Sequence, residues 1–470
     1  MSTTSTNLTD LTSQIQGAVL LPGSPEYTQA QQGYHTPRSA LAPAYIVQPA
    51  AHTDIPPALA FAAAHAPALE VAVKGGGVHS GTWASTAGGV LIDLARLRSV
   101  TLAPDRESVR VQGGARWGDV YDVGRKEGFE VVGAPLWDVG VGGSMVGGAS
   151  GNLSGRYGLG TDNMLSATVV LADGRIVEAS EEKEADLFWG IRGGGGQFGI
   201  VVEFVLRVLP PSGPQTAGSF VYPGSAHREV FKAVQEFHAS ATVDEKATLF
   251  FTRPAPDYEP TLIVAPWISA KSARATDDIL RPFRTTAVPK TEKIITVPDQ
   301  FTASHLSDAT RALAPPRLTI RGVPLSQPWP EIMLGVWARW YKFTEENSDG
   351  RGSTVVWDVR NTGRIAEVDV GETAYVPREP HLPVAIQGRN TLPETDEAVS
   401  KFVASLANYM HSENTALLGR DLGIMVSIAQ GDEPVEVVFG QNVGRLRKVK
   451  AKYDPERVWK RGVVVEPNSE

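Results

Sequence analysis

The sequence predicts an α+β fold with two domains, on three observations. Of the 47 glycines, 28 lie between residues 71 and 200, where short strand-like and helix-like segments alternate. The peptide Pro-Pro-Ser-Gly-Pro at 210–214 cannot continue a strand, and glycine is less frequent after it. From there to about residue 434, strand-like and helical segments alternate again. This favours an antiparallel sheet with helices on one face.

The individual elements follow from hydrophobic periodicity and from turn residues. In the first half, strands are predicted at 69–73, 90–94, 108–112, 166–174, 175–178 and 200–208, and helices at Ile55–Ala64, Trp117–Glu127 and 187–190. In the second half, strands are predicted at 249–252, 261–264, 332–337 and 353–357, and helices at His227–Ser240, 270–283 and 395–410.

Composition excludes several classes of function. The net charge is −8 and no run of basic residues occurs, so a nucleic-acid partner is not expected. The chain has no cysteine, which excludes disulfides, thiolate metal sites and any cysteinyl link to a cofactor. Its nine histidines show no ligand spacing, so no metal site is predicted.

Neither a leader nor a membrane span is expected. The first 21 residues lack a basic start and a long apolar stretch, which predicts an intracellular, cytoplasmic protein. The longest apolar run, 58–64, is far shorter than the roughly 20 residues that a membrane helix needs. We therefore expect no membrane partner.

Familiar nucleotide and hydrolase motifs do not fit. Residues 194–199 match Gly-x-Gly-x-x-Gly, but a strand rather than a helix is predicted after them, which argues against a dinucleotide site. The P-loop pattern and the Gly-x-Ser-x-Gly nucleophile pattern are both absent.

Glycine runs nevertheless predict a phosphate site. Residues 75–80 begin with three successive glycines, whereas a turn between strands usually needs one. Successive backbone amides in such a loop form a nest that binds anions. The run 140–148 supports the same interpretation, whereas 193–196 is explained equally well by a turn into a buried strand.

The ordered set of these motifs resembles the berberine-bridge-enzyme-like oxidases of the vanillyl-alcohol-oxidase superfamily. The resemblance rests on Lys-Gly-Gly-Gly at 74–77, Gly-Val-Gly-Gly at 140–143, Arg-Tyr-Gly-Leu-Gly-Thr-Asp at 156–162, the segment 187–200 and Phe-Gly-Gln-Asn at 439–442. Each motif is weak alone, but their order and spacing agree along most of the chain.

The resemblance implies a two-lobed PCMH-type FAD-binding domain, residues 1–213, completed by a C-terminal segment, 435–470, with a substrate domain, 214–434, inserted between them. It implies that FAD contacts residues in both lobes and in the C-terminal segment. These residues are Gly75, Gly76, Gly77, Val78, His79, Ser80, Gly140, Gly142, Gly143, Gly147, Tyr157, Gly158, Ile200, Val202 and Asn442.

The first departure from the family pattern concerns covalent flavin attachment. The histidine that usually carries the flavin falls at Val78, and His79 lies one residue later. A shift of one residue in a loop reverses the direction of a side chain, which favours noncovalent FAD. A bond through His79 and a replacement of histidine by valine at 78 remain alternatives. The family's cysteine position falls near Leu136.

The second departure concerns catalysis. Where members carry a Tyr and an Asn, in a strand predicted at 423–428, this chain has Met425 and Ser427. A strand predicted at 367–375 offers Tyr375, Glu372 and Asp369 as candidates. Its alternation would place Asp369 and Tyr375 on one face and Glu372 on the other. Tyr375 is the preferred substrate-facing hydroxyl, and a buried aromatic role is the alternative.

The resemblance implies an FAD-dependent oxidase of a small organic molecule in natural-product metabolism. A substrate proton would pass to a side chain, a hydride to flavin N5, and the electrons to O2. A flavin-containing cyclase with no net oxidation, a carbohydrate or alcohol oxidase, and a flavin-storage or ligand-binding protein are the alternatives.

Overall fold

The computed structural model describes residues 7–468, which form three β-sheets with helices packed on them. The first sheet has four strands in the order β1-β2-β4-β3. They are β1 (Ala18–Leu20), β2 (Tyr45–Gln48), β3 (Val71–Lys74) and β4 (Val90–Asp93), with helices α1 (Leu8–Gln14), α2 (Pro25–Gln32) and α3 (Ile55–Ala64). The loop that leaves β3 is the triple-glycine loop.

The second sheet has five antiparallel strands in the order β5-β6-β9-β7-β8. They are β5 (Val100–Leu102), β6 (Ser108–Gln112), β7 (Met164–Val170), β8 (Ile176–Ser180) and β9 (Ile200–Arg207), with helices α4 (Trp117–Glu127), α5 (Val141–Val146), α6 (Ser154–Tyr157) and α7 (Ala185–Ile191). Residues of β9, including Ile200, share an apolar cluster with α3 and β4 of the first sheet. The two small sheets therefore pack as two lobes on a common core.

The third sheet has seven antiparallel strands in the order β13-β10-β12-β11-β15-β16-β14. They are β10 (Gln215–Pro223), β11 (Glu245–Thr252), β12 (Thr261–Ile268), β13 (Thr291–Val297), β14 (Arg317–Leu325), β15 (Thr354–Arg360) and β16 (Leu382–Asn390). The helices of this region are α8 (His227–Ser240), α9 (Thr276–Leu280), α10 (Pro282–Thr285), α11 (Gln300–Ser304), α12 (Asp308–Arg311), α13 (Pro330–Glu346), α14 (Arg364–Glu367) and α15 (Asp396–Leu418).

One face of the third sheet is covered by α8, α13 and α15. Alternate strand residues such as Leu249, Trp357 and Val384 pack there with helical residues such as Trp340. The other face is turned toward the two small sheets. Arg360, for example, donates hydrogen bonds to Ser150 Oγ at 2.7 Å and to the Gly151 carbonyl at 3.2 Å. This is the predicted arrangement of an antiparallel sheet with helices on one face.

The chain ends on the second sheet. Helices α16 (Val435–Phe439) and α17 (Val443–Tyr453) join the core of that lobe. Lys450 is fully buried and donates to Asp454 at 2.6 Å and to the Gln197 carbonyl at 2.8 Å. The C-terminal segment is thus tied to the glycine run that precedes β9.

Three predicted strands are wrong. Residues 332–337 lie in α13, because a continuous apolar run fits a buried helix as well as a strand. Residues 367–375 form the end of α14 and an irregular turn. Residues 423–428 end in a 3-10 turn, Val426–Ile428.

No helix among residues 7–468 is long and apolar enough to cross a membrane. The first six residues of the segment inspected for a leader lie outside the described residues.

Candidate cofactor and active site

Three glycine loops meet between the two small sheets. The triple-glycine loop follows β3, Gly113 follows β6, and Gly140 precedes α5. A Cβ on Gly76 would lie 2.5 Å from Gly140 Cα, and one on Gly142 would lie 2.6 Å from the Gly113 carbonyl oxygen. Only glycine lets these backbones approach so closely. Gly113 is not among the residues predicted to lie at the cofactor site. The Gly-Gly pair that follows β6 in the sequence indicates a close backbone approach there.

The touching loops present amides without acceptors. The N–H groups of residues 76–80 make no hydrogen bond within the described part of the chain. The amides of Gly142 and Gly143 likewise find no acceptor among residues 7–468. Backbone N–H groups inside a folded protein are almost always paired, and Gly77 and Ser80 are buried. These amides therefore form a nest for an anion.

A groove with exposed backbone continues from this nest. Gly143 and Gly196 are exposed, and a Cβ on either would meet no atom within 4 Å. Ser427 of the C-terminal region is also exposed, and a Cβ on Gly147 would lie 2.9 Å from its Cβ. Unpaired amides beside exposed backbone are the donors that the diphosphate of FAD needs.

Lys74 holds the start of the triple-glycine loop. Its ammonium lies 3.1 Å from Asp93 Oδ2, donates to the Ala30 carbonyl at 2.9 Å and lies 4.8 Å from the Tyr34 ring centroid. These contacts use the charge within the lobe. The loop therefore offers main-chain amides rather than a cation to the diphosphate.

Both ring nitrogens of His79 are engaged. Nδ1 accepts the Gly81 N–H at 3.0 Å, and Nε2 lies 3.0 Å from the Ala429 carbonyl oxygen, so Nε2 carries the proton. The ring stacks on Trp83 with centroids 4.1 Å apart. Burial lowers the pKa of His79, and the two backbone hydrogen bonds oppose that shift. Val78, where the family pattern predicts the flavin-linked histidine, is partly buried.

Tyr375 lies in a corner formed by two glycines. A Cβ on Gly148 would lie 2.9 Å from Tyr375 Cε2, and one on Gly193 would lie 2.5 Å from Tyr375 Cβ. Leu159 and Met425 complete the corner. The residue is only 4% exposed, and its hydroxyl makes no hydrogen bond with any described residue, yet it is not completely enclosed. Burial raises the pKa of Tyr375 to about 12.

A buried ion pair lies on the Tyr375 ring. The Arg378 guanidinium lies 5.2 Å from the ring centroid and pairs with both oxygens of Asp162 at 2.8 and 2.7 Å. It also donates to Thr373 Oγ1 at 2.7 Å. Burial has the largest effect on the pKa of Tyr375. The charges of Arg378 and, more weakly, Arg360 lower this pKa, whereas the charge of Asp162 raises it.

Glu372 does not share this corner. It lies on an exposed turn in which its N–H donates to the Asp369 carbonyl at 3.0 Å. Its carbonyl accepts from Arg192 at 3.1 Å, which turns this segment toward α7. The alternation expected for a strand is therefore absent, Glu372 lies on the surface apart from Tyr375, and its catalytic role stays a prediction. Met425 is buried beside Tyr375.

Two residues predicted to line FAD contact other groups. The Tyr157 hydroxyl lies 2.9 Å from Lys271 Nζ of the third-sheet region. Asn442 donates from its amide to the carbonyls of Val370 at 3.0 Å and Thr373 at 3.2 Å. Asn442 thus holds the turn that leads to Tyr375.

For the remaining residues predicted to contact FAD, the structure shows backbone conformation or core packing rather than a polar side-chain contact. Gly158 has φ +81° and a Cβ there would lie 2.8 Å from Asp162 Oδ2. Ile200 and Val202 are buried in β9, in the core that joins the two lobes. Among residues 7–468 no group of three or more His, Asp or Glu side chains is arranged to hold a metal ion.

The uncovered face of the third sheet carries an apolar row flanked by polar residues such as Thr248 and Gln387. Phe250, Ile263, Val356 and Ala385 lie on its uncovered face and are partly exposed. Asp358 lies on the same face, 2.9 Å from Lys246 Nζ and 3.6 Å from Arg360. Lys246 and Arg360 outweigh burial and keep the pKa of Asp358 below its usual value.

Comparison with known proteins supports an FAD-binding domain. Residues 43–180 match the family described as FAD binding domain, and residues 426–461 match the family described as berberine and berberine like. The FAD-linked oxidoreductase pgmH of Aspergillus terreus is 29% identical over 98% of this chain and 96% of its own length.

Solved structures share the fold. The BBE-like 1 protein of Physcomitrella patens has a TM-score of 0.85 at 18% identity, covering 99% of this chain and 100% of that one. The glucooligosaccharide oxidase of Acremonium strictum, described with 6-S-cysteinyl, 8α-N1-histidyl FAD, has a TM-score of 0.80 at 23% identity, covering 98% and 99%.

Fold, nest and matches together define an FAD-binding flavoprotein, and the enzyme is an FAD-dependent oxidoreductase. The two family matches, the relatives and the shared fold support a berberine-bridge-enzyme-like oxidase with a PCMH-type FAD-binding domain. A cysteinyl link like that of the Acremonium enzyme is impossible, because the chain has no cysteine.

Proposed function

We propose that this protein is an oxidase of a small, largely apolar organic molecule in natural-product metabolism, with Tyr375 as the base that takes the substrate proton. The position of Tyr375 carries the proposal. Its hydroxyl has no protein partner among the described residues, and it lies beside Met425, where the family pattern has a tyrosine. The hydroxyl is thus free to contact a bound substrate and, as the phenolate, to accept its proton.

The uncovered face of the third sheet supports the substrate class. A surface containing Phe250, Ile263 and Val356 favours an apolar or aromatic ring system over a carbohydrate, whose hydroxyls need many polar partners. A carbohydrate or alcohol oxidase is therefore the less favoured activity.

The chain supplies the proton chemistry and the orientation. Tyr375 must reach its phenolate form to act as a base. Burial opposes that form and raises the pKa of Tyr375 to about 12, whereas the neighbouring Arg378 and Arg360 favour it. Bound FAD would supply two-electron acceptance from the substrate carbon and return the electrons to O2 as H2O2. Asn442 would orient the Tyr375 turn through its carbonyl contacts.

We also propose that FAD is held noncovalently, through the amide nest. An attachment through His79 would break the hydrogen bond from Gly81 to Nδ1 or the one from Nε2 to Ala429. It would also pull the ring from its stack on Trp83. Val78 has no nucleophile to replace it.

The test begins with the purified holoprotein. We expect flavin absorbance that moves entirely to the supernatant on acid precipitation, since the cofactor is not linked. A panel of phenolic and other polycyclic natural-product precursors is then mixed with it without oxygen. Bleaching of the flavin by a member of the panel, followed by O2 uptake with one H2O2 per turnover, supports the oxidase. A product isomeric with its substrate and formed without O2 uptake would establish a cyclase instead.

A further inference from the structure

A cavity of about 250 Å³ opens between the second lobe and the third-sheet region. Its walls come from α4 and the loop after it, from Pro211 and Gly213 of the linker, and from residues 298–300 before α11. None of these residues belongs to the glycine loops or to the Tyr375 corner. The cavity is therefore separate from the oxidase site.

Glu130 lines this cavity and is only 6% exposed. Its Oε2 accepts the Ser212 N–H at 3.1 Å and the Ser212 hydroxyl at 2.6 Å. Its Oε1 has no hydrogen-bond partner among the described residues and is not completely enclosed. One carboxylate oxygen thus remains available to a ligand in the cavity.

The floor and the mouth differ in character. Tyr121 and Phe129 line the cavity and are almost completely buried. The Tyr121 hydroxyl already donates to the Ala134 carbonyl at 2.6 Å, so the surface left to a ligand is apolar. At the rim, Gly128 has φ +75° and a Cβ there would meet no atom within 4 Å. A small ligand can therefore enter over an open rim and reach an apolar floor.

The charges around the cavity favour a cation. Asp299 is a second acidic lining residue, although its Oδ1 also accepts the Thr302 N–H at 2.7 Å. Arg125 lines the cavity but is paired with Asp122 at 2.6 Å. Lys271 is directed to the Tyr157 hydroxyl.

Burial raises the pKa of Glu130. The hydrogen bonds from Ser212 and then the charge of Lys271 oppose this, and Asp299 adds to it. A cation bound at Oε1 would lower that pKa again, because it stabilises the carboxylate.

We propose that this cavity binds a small organic cation, an ammonium group on a short apolar or aromatic body. The ammonium would donate a charge-assisted hydrogen bond to Glu130 Oε1. The apolar body would pack on Tyr121 and Phe129, whose aromatic rings also attract the cation. The site would be an effector or accessory site, since it holds no flavin-contacting residue.

Calorimetric titration of the FAD-loaded protein tests the proposal, with phenethylammonium as the probe. We expect saturable binding of one equivalent. Neutral phenethyl alcohol and anionic 3-phenylpropionate should bind at least about ten-fold more weakly, as loss of a charge-assisted hydrogen bond requires. Equal affinity for the three probes, or no binding of phenethylammonium, overturns the proposal.

The variant Glu130→Gln keeps the shape of the side chain and removes its charge. We expect about 10- to 100-fold weaker binding of phenethylammonium. The matched control is Glu127→Gln, since Glu127 is an exposed acid outside the cavity, paired with Arg106. If Glu130→Gln does not fold, the comparison of the three probes on the wild-type protein still tests the proposal. Unchanged affinity in folded Glu130→Gln, with the probe perturbing the flavin spectrum, would place the ligand in the cofactor groove and reject the proposal.

A proton-linkage measurement sharpens the assignment. At a pH near the pKa of Glu130, cation binding should release protons, so the heat depends on the ionisation enthalpy of the buffer. Affinity should fall as the pH drops below that pKa. Buffer-independent heats in both wild type and Glu130→Gln would count against Glu130 as the ligand group.

Discussion

The cofactor groove and the Tyr375 corner are adjacent but built in different ways. The groove is made of main-chain amides on loops 75–80 and 140–143, where a side chain would obstruct the contact between loops. The corner is made of side chains, Tyr375 and Arg378, held between distant glycines and Asp162. Most substitutions leave the main-chain N–H groups in place, whereas a site made of side chains can change one residue at a time. One fold can therefore keep its cofactor while its catalytic groups move.

The largest expected effect is at the side-chain site. Tyr375→Phe keeps the packing against Gly148 and Gly193 and removes the hydroxyl, so the rate of flavin reduction by substrate should fall by about 10² to 10⁴, the usual contribution of a general base. Stopped-flow absorbance without oxygen measures it. FAD content should be unchanged, and an unaltered reduction rate would exclude Tyr375 as the base.

A smaller effect tests the amide nest. Gly143→Ala adds a methyl group where the protein itself offers no contact within 4 Å, so the apoprotein should unfold at the same denaturant concentration. Since that methyl projects into the groove, FAD affinity should fall about ten-fold or more, equivalent to about 1.4 kcal/mol. Flavin fluorescence during titration of the apoprotein gives the affinity.

The matched control is Gly444→Ala. Gly444 is also exposed in the first turn of a helix, and a Cβ there would meet no atom within 4 Å. It should leave FAD affinity unchanged. Equal losses in the two variants would show that helix effects, and not the groove, are responsible.

A pH profile tests the effect of the buried Arg378–Asp162 pair on Tyr375. Removal of the Arg378 charge in Arg378→Met should raise the pKa of Tyr375, which is about 12 in the wild type, because the charge favours the phenolate. The rising limb of flavin reduction rate against pH should then move to higher pH. Arg378→Lys keeps the charge and should recover part of the shift. A loss of rate without a shift in the profile would indicate a structural role alone.

The smallest effect concerns His79. His79→Ala removes two hydrogen bonds and a ring stack, so the free energy of unfolding should fall by about 1–3 kcal/mol. FAD should remain bound and should still be released by acid. Retention of acid-stable flavin in the wild type, lost in this variant, would refute noncovalent attachment.

Local patterns predicted much of the fold. Helices α4 and α8 appear with the predicted bounds, since their apolar spacing and flanking residues are local signals. Pro330 at a helix start and the spacing of Ile332, Val336 and Trp340 were signals for α13 that the apolar run 332–337 concealed.

The amide nest was equally readable, because glycine clustering is visible in the chain itself. The triple-glycine loop and the 140–143 run each indicate a place where the backbone approaches another group closely. What no local pattern contains is their contact with one another and with Gly113, which lie on separate elements.

The sequence by itself determined that the glycine loops allow close backbone approach and that no cysteinyl bond forms, because both follow from residue types visible in the chain. Only the tertiary structure decided that Glu372 is on an exposed turn, that both His79 nitrogens are occupied and that Arg378 and Asp162 lie against Tyr375. Those contacts join residues that are up to 350 positions apart. Side-chain direction in irregular segments is set by such long-range packing, which periodicity does not encode.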